Sequence, residues 1–274
     1  MDEITAEYSA SALMGAPELR LRPRVTVAAK TDLGRVRENN EDKFEYFLPE
    51  DHETLASKGL IFLVCDGMGG HAAGQIASEL AAKTFIDVAL GHPNPEPESA
   101  AAAAVAAANR FVYEVSRTVP GRQGMGTTLS ALLLVQDRAV IAQVGDSRVY
   151  RLRGGATTLL TRDHTWVEEA IRNGLMSPGE AETHPYRHVL TRAIGTEANV
   201  EPDIFTEAVE IGDTFLLCSD GVMNHVNDEQ IGRLLAENPP SMAAWKIVAA
   251  ALAGGGSDNT TVLIIRVDAL EQNG

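Results

Sequence analysis

The sequence predicts an α+β protein, in which antiparallel strands and helices form separate layers. Short apolar runs bounded by turn residues recur along the chain, and such runs are typical of strands. Longer segments between them show the apolar period of a helix. The strand-like runs 129–135, 139–144 and 149–152 have tight turns at Gln136-Asp137 and Gly154-Gly155, so we expect an antiparallel meander there.

The strand predictions begin from the clearest apolar run. Ile61 to Cys65 are five apolar residues that lead directly into Asp66 and Gly67. A run of this length, bounded by turn residues, is typical of a buried strand. By the same criterion, strands are predicted at residues 25–30, 43–48, 61–65, 129–135, 139–144, 149–152, 205–210, 213–218 and 260–267.

The helix predictions follow from apolar periodicity and from breaker residues. Ala72, Ile76, Leu80 and Phe85 recur at helical spacing, and the prolines within 92–97 end that pattern. Asp163 is a candidate N-cap for a later helix, because its carboxylate can accept from free backbone N–H groups. Helices are predicted at residues 70–90, 100–116, 163–174, 227–237 and 241–253.

Domain organisation is simple in this interpretation. Residues 1–22 are predicted to be a poorly ordered tail, because they have small and acidic residues without a clear period. A single domain is predicted over 23–268, followed by a short tail at 269–274. Within the domain, the polar, His- and Arg-bearing segment 163–200 is predicted to form a surface flap.

Composition limits the classes of partner. The chain has 274 residues, 45% of them apolar, which is ordinary for a globular protein. With 38 acids against 23 Lys and Arg, the net charge is −15, which argues against nucleic acid or an anionic membrane as the main partner. No apolar run is long enough to span a bilayer, and the N-terminus does not resemble a secretory signal. We therefore expect a cytoplasmic protein in which Cys65 and Cys218 are buried free thiols.

Acidic residues at the ends of apolar runs are the main functional signal. Asp66-Gly67, Asp220-Gly221 and Asp258-Asn259 each stand where a strand meets a turn, and Asp146 follows Gly145 in the same way. Carboxylate oxygens are the ligands that Mg²⁺ and Mn²⁺ prefer. Two such ions can stabilise the attacking and leaving oxygens of a displacement at phosphorus. For any single pair, turn chemistry alone is the alternative explanation.

Six motifs in a fixed order carry a resemblance to a known family. Together they resemble the bacterial branch of the PPM (type 2C) family of metal-dependent serine/threonine protein phosphatases, over about residues 25–267. The motifs are Arg37…Asn39-Asn40-Glu41-Asp42, Asp66-Gly67-Met68-Gly69-Gly70-His71, Gly124-Met125-Gly126-Thr127-Thr128, Gly145-Asp146-Ser147-Arg148, Ser219-Asp220-Gly221 and Asp258-Asn259.

The resemblance implies both a fold and an activity. The implied fold is a PP2C-like α-β-β-α sandwich, with two antiparallel sheets packed face to face and flanked by helices. The implied activity is hydrolysis of phosphoserine and phosphothreonine by a hydroxide that bridges two Mn²⁺ or Mg²⁺ ions. The implied partners are phosphorylated proteins and a cognate serine/threonine kinase that the enzyme opposes in bacterial signalling, with the enzyme acting as a monomer.

The resemblance also assigns roles to individual residues. In the family pattern, the implied catalytic residues are Asp66, Asp42 and Arg37, and Arg37 binds the substrate phosphate. A planar guanidinium suits this role because it can hold two phosphate oxygens at once. In the implied metal site, Asp66 bridges both ions and the carbonyl of Gly67 binds one of them, while Asp220 and Asp258 complete the other. Asp146 with Asp220 forms a third metal position. Asp42 holds metal-bound waters, and Glu41 is a direct or water-mediated ligand.

One position departs from the family pattern. Animal members carry a histidine after the Asp-Gly pair, proposed as the acid that protonates the leaving alcohol. Met68 occupies that position here and offers no useful proton, so the identity of the acid is open. For His71 we expect a structural role or an indirect role at the metal site. His164, His184 and His188 are expected to pack or to lie on the flap surface rather than to bind metal.

Two other functions share parts of this pattern. A regulatory pseudophosphatase would bind phosphoproteins without turnover, but all the core acids that the family needs are present. A hydrolase of small phosphate esters would share every metal ligand. Arg187 and Arg192 in the flap are candidates for contact with a phosphopeptide, and substrate comparison is what separates these alternatives.

Overall fold

The computed structural model describes residues 18–69 and 73–272, and its elements are named here in chain order. The strands are β1 (Leu21–Asp32), β2 (Asp42–Phe47), β3 (Leu60–Met68), β4 (Gly126–Thr127), β5 (Leu129–Val135), β6 (Arg138–Val144), β7 (Arg148–Arg153), β8 (Ala156–Leu159), β9 (Asp203–Ala208), β10 (Thr214–Cys218) and β11 (Thr260–Gln272). The helices are α1 (His52–Lys58), α2 (Ala73–Gly91), α3 (Pro97–Thr118), α4 (Trp166–Arg172), α5 (Pro178–Glu182), α6 (Asp220–Met223), α7 (Asp228–Glu237) and α8 (Pro240–Ala253).

The strands form two antiparallel sheets, as the resemblance implied. The first sheet has the order β1-β11-β10-β7-β8, and the second has the order β2-β3-β5-β6-β9, with β4 paired to the end of β3. Every strand pair is antiparallel, so the order of the strands is set by hairpins and by longer excursions through helices.

Alternation along the central strands explains the layers. Phe62 and Val64 of β3 belong to a buried cluster that includes Phe215 and Leu263 of the other sheet. Their neighbours Ile61 and Leu63 instead join a cluster with α2 and α3 residues. A third cluster packs α7 and α8 on the outer face of the first sheet. Because both faces of the central strands are covered, their sequences are apolar without alternation.

The predicted meander divides between the two sheets. β5 and β6 form a hairpin in the second sheet, whereas β7 and β8 form a hairpin in the first. The chain crosses from one sheet to the other at Gly145-Asp146-Ser147. Gly145 has φ +100°, and a Cβ there would lie 2.6 Å from Thr128 Cγ2. A glycine is therefore required where the chain turns out of β6.

Several predicted boundaries differ from the structure. β1 pairs with β11 from Leu21↔Gln272 onwards, so strand structure extends into both segments that were predicted as tails. Helix α1 was not predicted, because its seven residues show only two buried positions, Leu55 and Ala56. Pro97 begins α3 instead of ending the preceding break, as its fixed φ allows at a first helical position.

The predicted N-cap at Asp163 was wrong. α4 begins after Thr165, whose side chain accepts from the N–H of Glu168 at 3.3 Å. Asp163 instead receives hydrogen bonds from the Arg148 guanidinium at 2.8–3.2 Å. None of the helices that the structure describes is long and apolar enough to cross a membrane.

Candidate active site

The acidic residues singled out in the sequence meet at one cleft of about 1110 Å³. We call it the acidic cleft, and its walls include Arg37, Asp66, Asp146, Asp220 and Asp258 together with flap residues 187, 188 and 190–193. Asp42 is 8% exposed and does not line the cleft directly. The structure therefore brings the sequence-predicted acids together, with Asp42 buried behind the others.

Strand pairing explains why these acids converge. Asp42 begins β2 and stands opposite Asp66 near the end of β3, because the two strands are antiparallel. In the first sheet, Asp220 follows the end of β10 and Asp258 precedes the start of β11, which are again antiparallel neighbours. Each sheet thus contributes a pair of aspartates at the same end of the molecule.

The sequence suggested that the strand ends at Asp66, but in the structure the strand continues beyond it. β3 continues to Met68 because Gly67 and Met68 pair with Thr127 and Gly126. The N–H of Asp66 donates to Thr128 Oγ1 at 2.9 Å, and its carbonyl accepts from the N–H of Thr128 at 2.8 Å. The backbone of Asp66 is therefore fixed from one side, while its carboxylate lies in the wall of the cleft.

Asp42 ties the two sheets together. Its Oδ2 accepts a hydrogen bond from Ser219 Oγ at 2.7 Å, and Ser219 Oγ in turn accepts from the N–H of Thr261 at 3.0 Å. Ser219 immediately precedes Asp220, so this bond connects the second sheet to the strand end that carries Asp220. Burial raises the pKa of Asp42 to about 7.

Gly67 and Gly74 permit a close approach of three chain segments. The N–H of Gly67 donates to the carbonyl of Glu41 at 3.1 Å. A Cβ at Gly67 would overlap the carbonyl oxygen of Gly74 and lie 2.6 Å from that of Glu41. A Cβ at Gly74 would lie 2.5 Å from Glu41 Oε2. Only glycine fits at either position, and Glu41 is held beside the Asp66-Gly67 strand end.

The carboxylates of the cleft destabilise one another's charges. Burial, followed by the charges of Asp42 and Asp220, raises the pKa of Asp66 well above its ordinary value. Burial and the charge of Asp220 raise the pKa of Asp146 to about 8. Burial and the charge of Asp258 raise the pKa of Asp220. A bound cation would relieve this repulsion.

Two buried carboxylate oxygens support a fit to hard cations. Asp42 Oδ1 and Asp220 Oδ1 are buried and have no hydrogen-bond partner within the described ranges. An unpaired buried acceptor costs about 1–3 kcal/mol, and more when charged. The donor set consists of carboxylate and carbonyl oxygens, which suits Mg²⁺ and Mn²⁺ and does not suit zinc.

The acids are not a preassembled cage. Among residues 18–69 and 73–272, no group of three or more His, Cys, Asp or Glu side chains stands close enough together to hold a metal ion by itself. Mg²⁺ sites differ from such cages, because the ion keeps several waters and uses few protein ligands. The spacing of the cleft acids is compatible with that type of site.

Arg37 lies beside the same acids. Its Nη2 is 2.6 Å from Asp258 Oδ2, and this hydrogen bond raises the pKa of the guanidinium. The side chain is 53% exposed, so part of its hydrogen-bonding capacity faces the cleft. A guanidinium in this position can hold a phosphoryl group next to the carboxylates.

Asn259 is a residue of the site whose role the sequence did not indicate. Its Nδ2 donates to the carbonyls of Leu33 and Asn39 at 2.9 and 3.0 Å, and its Oδ1 accepts from the N–H of Glu41 at 2.8 Å. Asn259 therefore holds the segment that carries Arg37 against the strand that begins after Asp258. The only signal in the sequence was its place beside Asp258.

The other candidate residues have mixed positions. Met68 lines the cleft and offers no proton. His71 lies outside the described residues. His164 is 2% exposed and its Nδ1 accepts from the N–H of Gly145 at 3.2 Å, which confirms a packing role. His184 stacks on Trp166 with 5.0 Å between ring centroids.

The flap arginines also differ from each other. Arg192 donates to Asp203 Oδ1 at 2.7 Å and to the carbonyl of Glu201 at 3.1 Å, so its guanidinium anchors the flap. Arg187 and His188 are exposed and line the cleft. Arg192 also lines the cleft, but its guanidinium is bound to Asp203, so Arg187 is the more available of the two arginines for a ligand.

Neither cysteine belongs to the reactive type. Cys65 and Cys218 are buried free thiols, as expected. Burial raises the pKa of Cys218 to about 12 and raises that of Cys65 as well. Both thiols remain protonated at physiological pH, which makes them poor nucleophiles.

The fold and the acidic cleft define a class of enzyme that comparison with known proteins identifies. Residues 35–254 match the family model of protein phosphatase 2C. The chain therefore belongs to the protein phosphatase 2C family. The comparison agrees with the motif order in the sequence and with the two flanked sheets of the fold.

Individual relatives are bacterial. The serine/threonine phosphatase stp of Listeria monocytogenes is 38% identical over 251 residues, which cover 89% of this chain and 96% of that protein. The serine/threonine protein phosphatase PstP of Mycobacterium tuberculosis is 37% identical over 240 residues. These cover 88% of this chain and 44% of PstP, so this chain spans less than half of that relative's length.

A solved structure of one of these relatives also resembles this chain. The catalytic domain of PstP in complex with two manganese ions superimposes with a TM-score of 0.77 at 35% identity. The match covers 89% of this chain and 99% of that one. The shared fold therefore includes the whole of the PstP catalytic domain.

Proposed function

We propose that this chain hydrolyses phosphoserine and phosphothreonine in proteins with the help of two Mn²⁺ or Mg²⁺ ions bound in the acidic cleft. The observation that carries the proposal is the pairing of Asp42 and Asp66 from one sheet with Asp220 and Asp258 from the other at the same edge. The two manganese ions in the PstP catalytic domain support a site of this kind.

The ligands proposed for the ions are those that the resemblance to the family implies. Asp66 would contact both ions and the carbonyl of Gly67 one of them, while Asp220 and Asp258 would hold the other. Asp146, which lines the cleft beside Asp220, would serve a third ion. When bound, the two ions make water nucleophilic near neutral pH and offset the charge of the phosphoryl oxygens.

The remaining residues act on water and substrate. Glu41 lines the cleft and would orient water there, while the unpaired Oδ1 of Asp42, buried behind the other acids, would accept from a water held by the ions. In the structure one N–H of Arg37 donates to Asp258, which leaves four others for phosphoryl oxygens. Arg37 would hold the phosphorus in line with the attacking water, which removes much of the entropic barrier. Because Met68 provides no acid, the proton for the leaving alcohol would come from water or another group.

The cellular setting of the enzyme is also part of the proposal. We infer a single phosphatase domain that includes β1 to β11, a monomer in the cytoplasm, and phosphorylated proteins as substrates. A cognate serine/threonine kinase would supply those substrates. The continuous family match over residues 35–254 supports a single domain. The net charge of −15 supports a partner that is neither nucleic acid nor an anionic membrane.

The test is phosphate release from a phosphothreonine peptide with Mn²⁺. Turnover is expected with the metal, and rates near background are expected with EDTA or in Asp66→Asn. Asp87→Asn is the matched control, because Asp87 is exposed on α2 and does not line the cleft. Full activity of Asp66→Asn would contradict the two-ion mechanism. If the folded wild type binds the phosphopeptide without turnover, the regulatory pseudophosphatase is favoured. If it prefers small phosphate esters, a hydrolase of such esters is favoured.

A further inference from the structure

The loop that carries Asp258 begins at the end of α8, where the N–H groups of Gly254, Gly255 and Gly256 donate to the carbonyls of Ala250, Leu252 and Ala251. It consists of Gly254, Gly255, Gly256 and Ser257, and two of these glycines have positive φ, 142° at Gly255 and 56° at Gly256. Glycines leave a chain free to adopt many conformations. The helix end holds the three glycines, so the position of Ser257, which precedes Asp258, depends on contacts from outside the loop.

One side of the loop rests on the segment that precedes Arg37. The N–H of Arg35 donates to the carbonyl of Gly256 at 2.7 Å. A Cβ at Gly34 would lie 2.9 Å from that same carbonyl oxygen, so the two segments are in close contact. This contact and the end of α8 hold the glycines, whereas neither of them binds the N–H of Ser257.

His225 holds the other side of the loop. Its Nε2 accepts from the N–H of Ser257 at 3.1 Å and lies 2.9 Å from Ser257 Oγ. The imidazole also packs on the glycines: a Cβ at Gly254 would lie 2.8 Å from His225 Cβ, and one at Gly255 would lie 3.0 Å from His225 Cε1. Because a backbone N–H only donates, Nε2 is the unprotonated nitrogen and the Ser257 hydroxyl donates to it as well.

The same histidine is joined to the turn that carries Asp220. The N–H of His225 donates to the carbonyl of Val222, within the short helix that Asp220 begins. The preceding residue, Asn224, places its Nδ2 3.5 Å from Asp220 Oδ2. His225 is thus a direct connection between the two loops that present Asp220 and Asp258 to the cleft.

We propose that His225 is a positioning residue that fixes Asp258 relative to Asp220 and thereby sets the affinity of the acidic cleft for divalent cations. The inference rests on the proposed function, because it takes these two aspartates as metal ligands. His225 acts through Ser257 and the glycines, and it does not itself bind the ion. Glutamine retains an acceptor at a similar distance, whereas leucine fills similar space without one.

The test measures the Mn²⁺ affinity of the purified full chain by isothermal titration calorimetry. The Mn²⁺ dependence of peptide dephosphorylation is measured beside it. His225→Leu is expected to weaken Mn²⁺ binding about 10-fold, equivalent to about 1.4 kcal/mol. His225→Gln is expected to stay within about threefold of wild type, and kcat at saturating Mn²⁺ should change less than about threefold in both. His52→Leu, an exposed histidine on α1, is the matched control.

The outcomes separate this inference from the proposed function. Wild-type Mn²⁺ affinity in folded His225→Leu would overturn the positioning role, as would equal losses in the Leu and Gln variants. A wild type that binds no Mn²⁺ would instead overturn the proposed function. Ser257→Ala, at an exposed position, gives a second measurement if His225→Leu does not fold. It removes one hydrogen bond to Nε2, and a loss of about threefold in Mn²⁺ affinity is expected; no loss would contradict the proposal.

Discussion

Arg37 and Asp258 share a hydrogen bond of 2.6 Å, so the residue proposed for phosphate binding and a residue proposed for metal binding are in direct contact. The two functions of the cleft are therefore physically coupled. An ion on Asp258 would compete with the guanidinium for one carboxylate, and the guanidinium released in this way would gain freedom to bind phosphate.

Replacing Arg37 by lysine keeps the charge but removes the planar fork. Arg37→Lys is expected to lower kcat/KM for a phosphothreonine peptide about 30-fold, about 2 kcal/mol, because lysine cannot hold two phosphoryl oxygens in a fixed geometry. Steady-state kinetics at saturating Mn²⁺ provide the measurement. Arg110→Lys, at an exposed position on α3, is the control and should match wild type. Unchanged kinetics in Arg37→Lys would rule out bidentate phosphate binding by this residue.

Gly67 is expected to tolerate no side chain. Gly67→Ala should lower the free energy of unfolding by about 3 kcal/mol, because the new Cβ would meet the carbonyl oxygens of Gly74 and Glu41 and the backbone would have to move. Gly91→Ala is the matched control, since a Cβ there meets no atom within 4 Å. In that helix position alanine should be neutral or stabilising by about 0.5 kcal/mol. Urea unfolding of both variants measures the difference, and equal stabilities would contradict the close approach seen at Gly67.

His164 predicts a pH dependence of stability. Burial lowers the pKa of this imidazole, which also faces Asp203, Arg192 and Asp163. The unfolded chain therefore binds a proton at a higher pH than the folded chain, and stability is lost as pH falls through the unfolded value of about 6.5. The sign is opposite to that of the cleft acids, whose raised pKa values favour folding as pH falls.

The variant His164→Asn isolates this contribution, because asparagine retains an acceptor for the N–H of Gly145 and does not titrate. Between about pH 7.5 and 5.5, wild type should lose about 1 kcal/mol more stability than the variant. Urea unfolding at both pH values supplies the comparison. Parallel pH dependence in the two proteins would show that His164 contributes nothing in this range.

The sequence was informative where the signal was local. The run Ile61 to Cys65 is apolar throughout because apolar layers cover both of its faces, and this unbroken apolar run predicted a buried strand. It could not show that the hairpins β5-β6 and β7-β8 lie in different sheets, because Gly145-Asp146-Ser147 resembles an ordinary turn. Only contacts that are distant in the chain distinguish a crossing from a hairpin.

The same limit explains the errors at the site. Asp163 and Thr165 are both residue types that suit an N-cap position. Arg148 of β7 pairs with Asp163, so the side chain of Thr165 caps the helix instead. Asn259 connects residues more than 200 positions away, at Leu33 and Asn39, and no pattern near Asn259 predicts those bonds. The proposed ligands were accessible to sequence reasoning because each stands within two residues of a strand end, whereas the residues that hold them in place were not.

The order of the first sheet has a consequence for how the protein assembles during synthesis. β11 is the last of the described strands in chain order, yet it lies between β1 and β10 and pairs with both. A nascent chain that ends before Thr260 therefore has two unpaired strand edges facing a gap, which are open to misassembly. The cleft is complete only when the chain beyond Asp258 has left the ribosome. We therefore expect partly synthesised chains neither to bind Mn²⁺ nor to dephosphorylate other proteins.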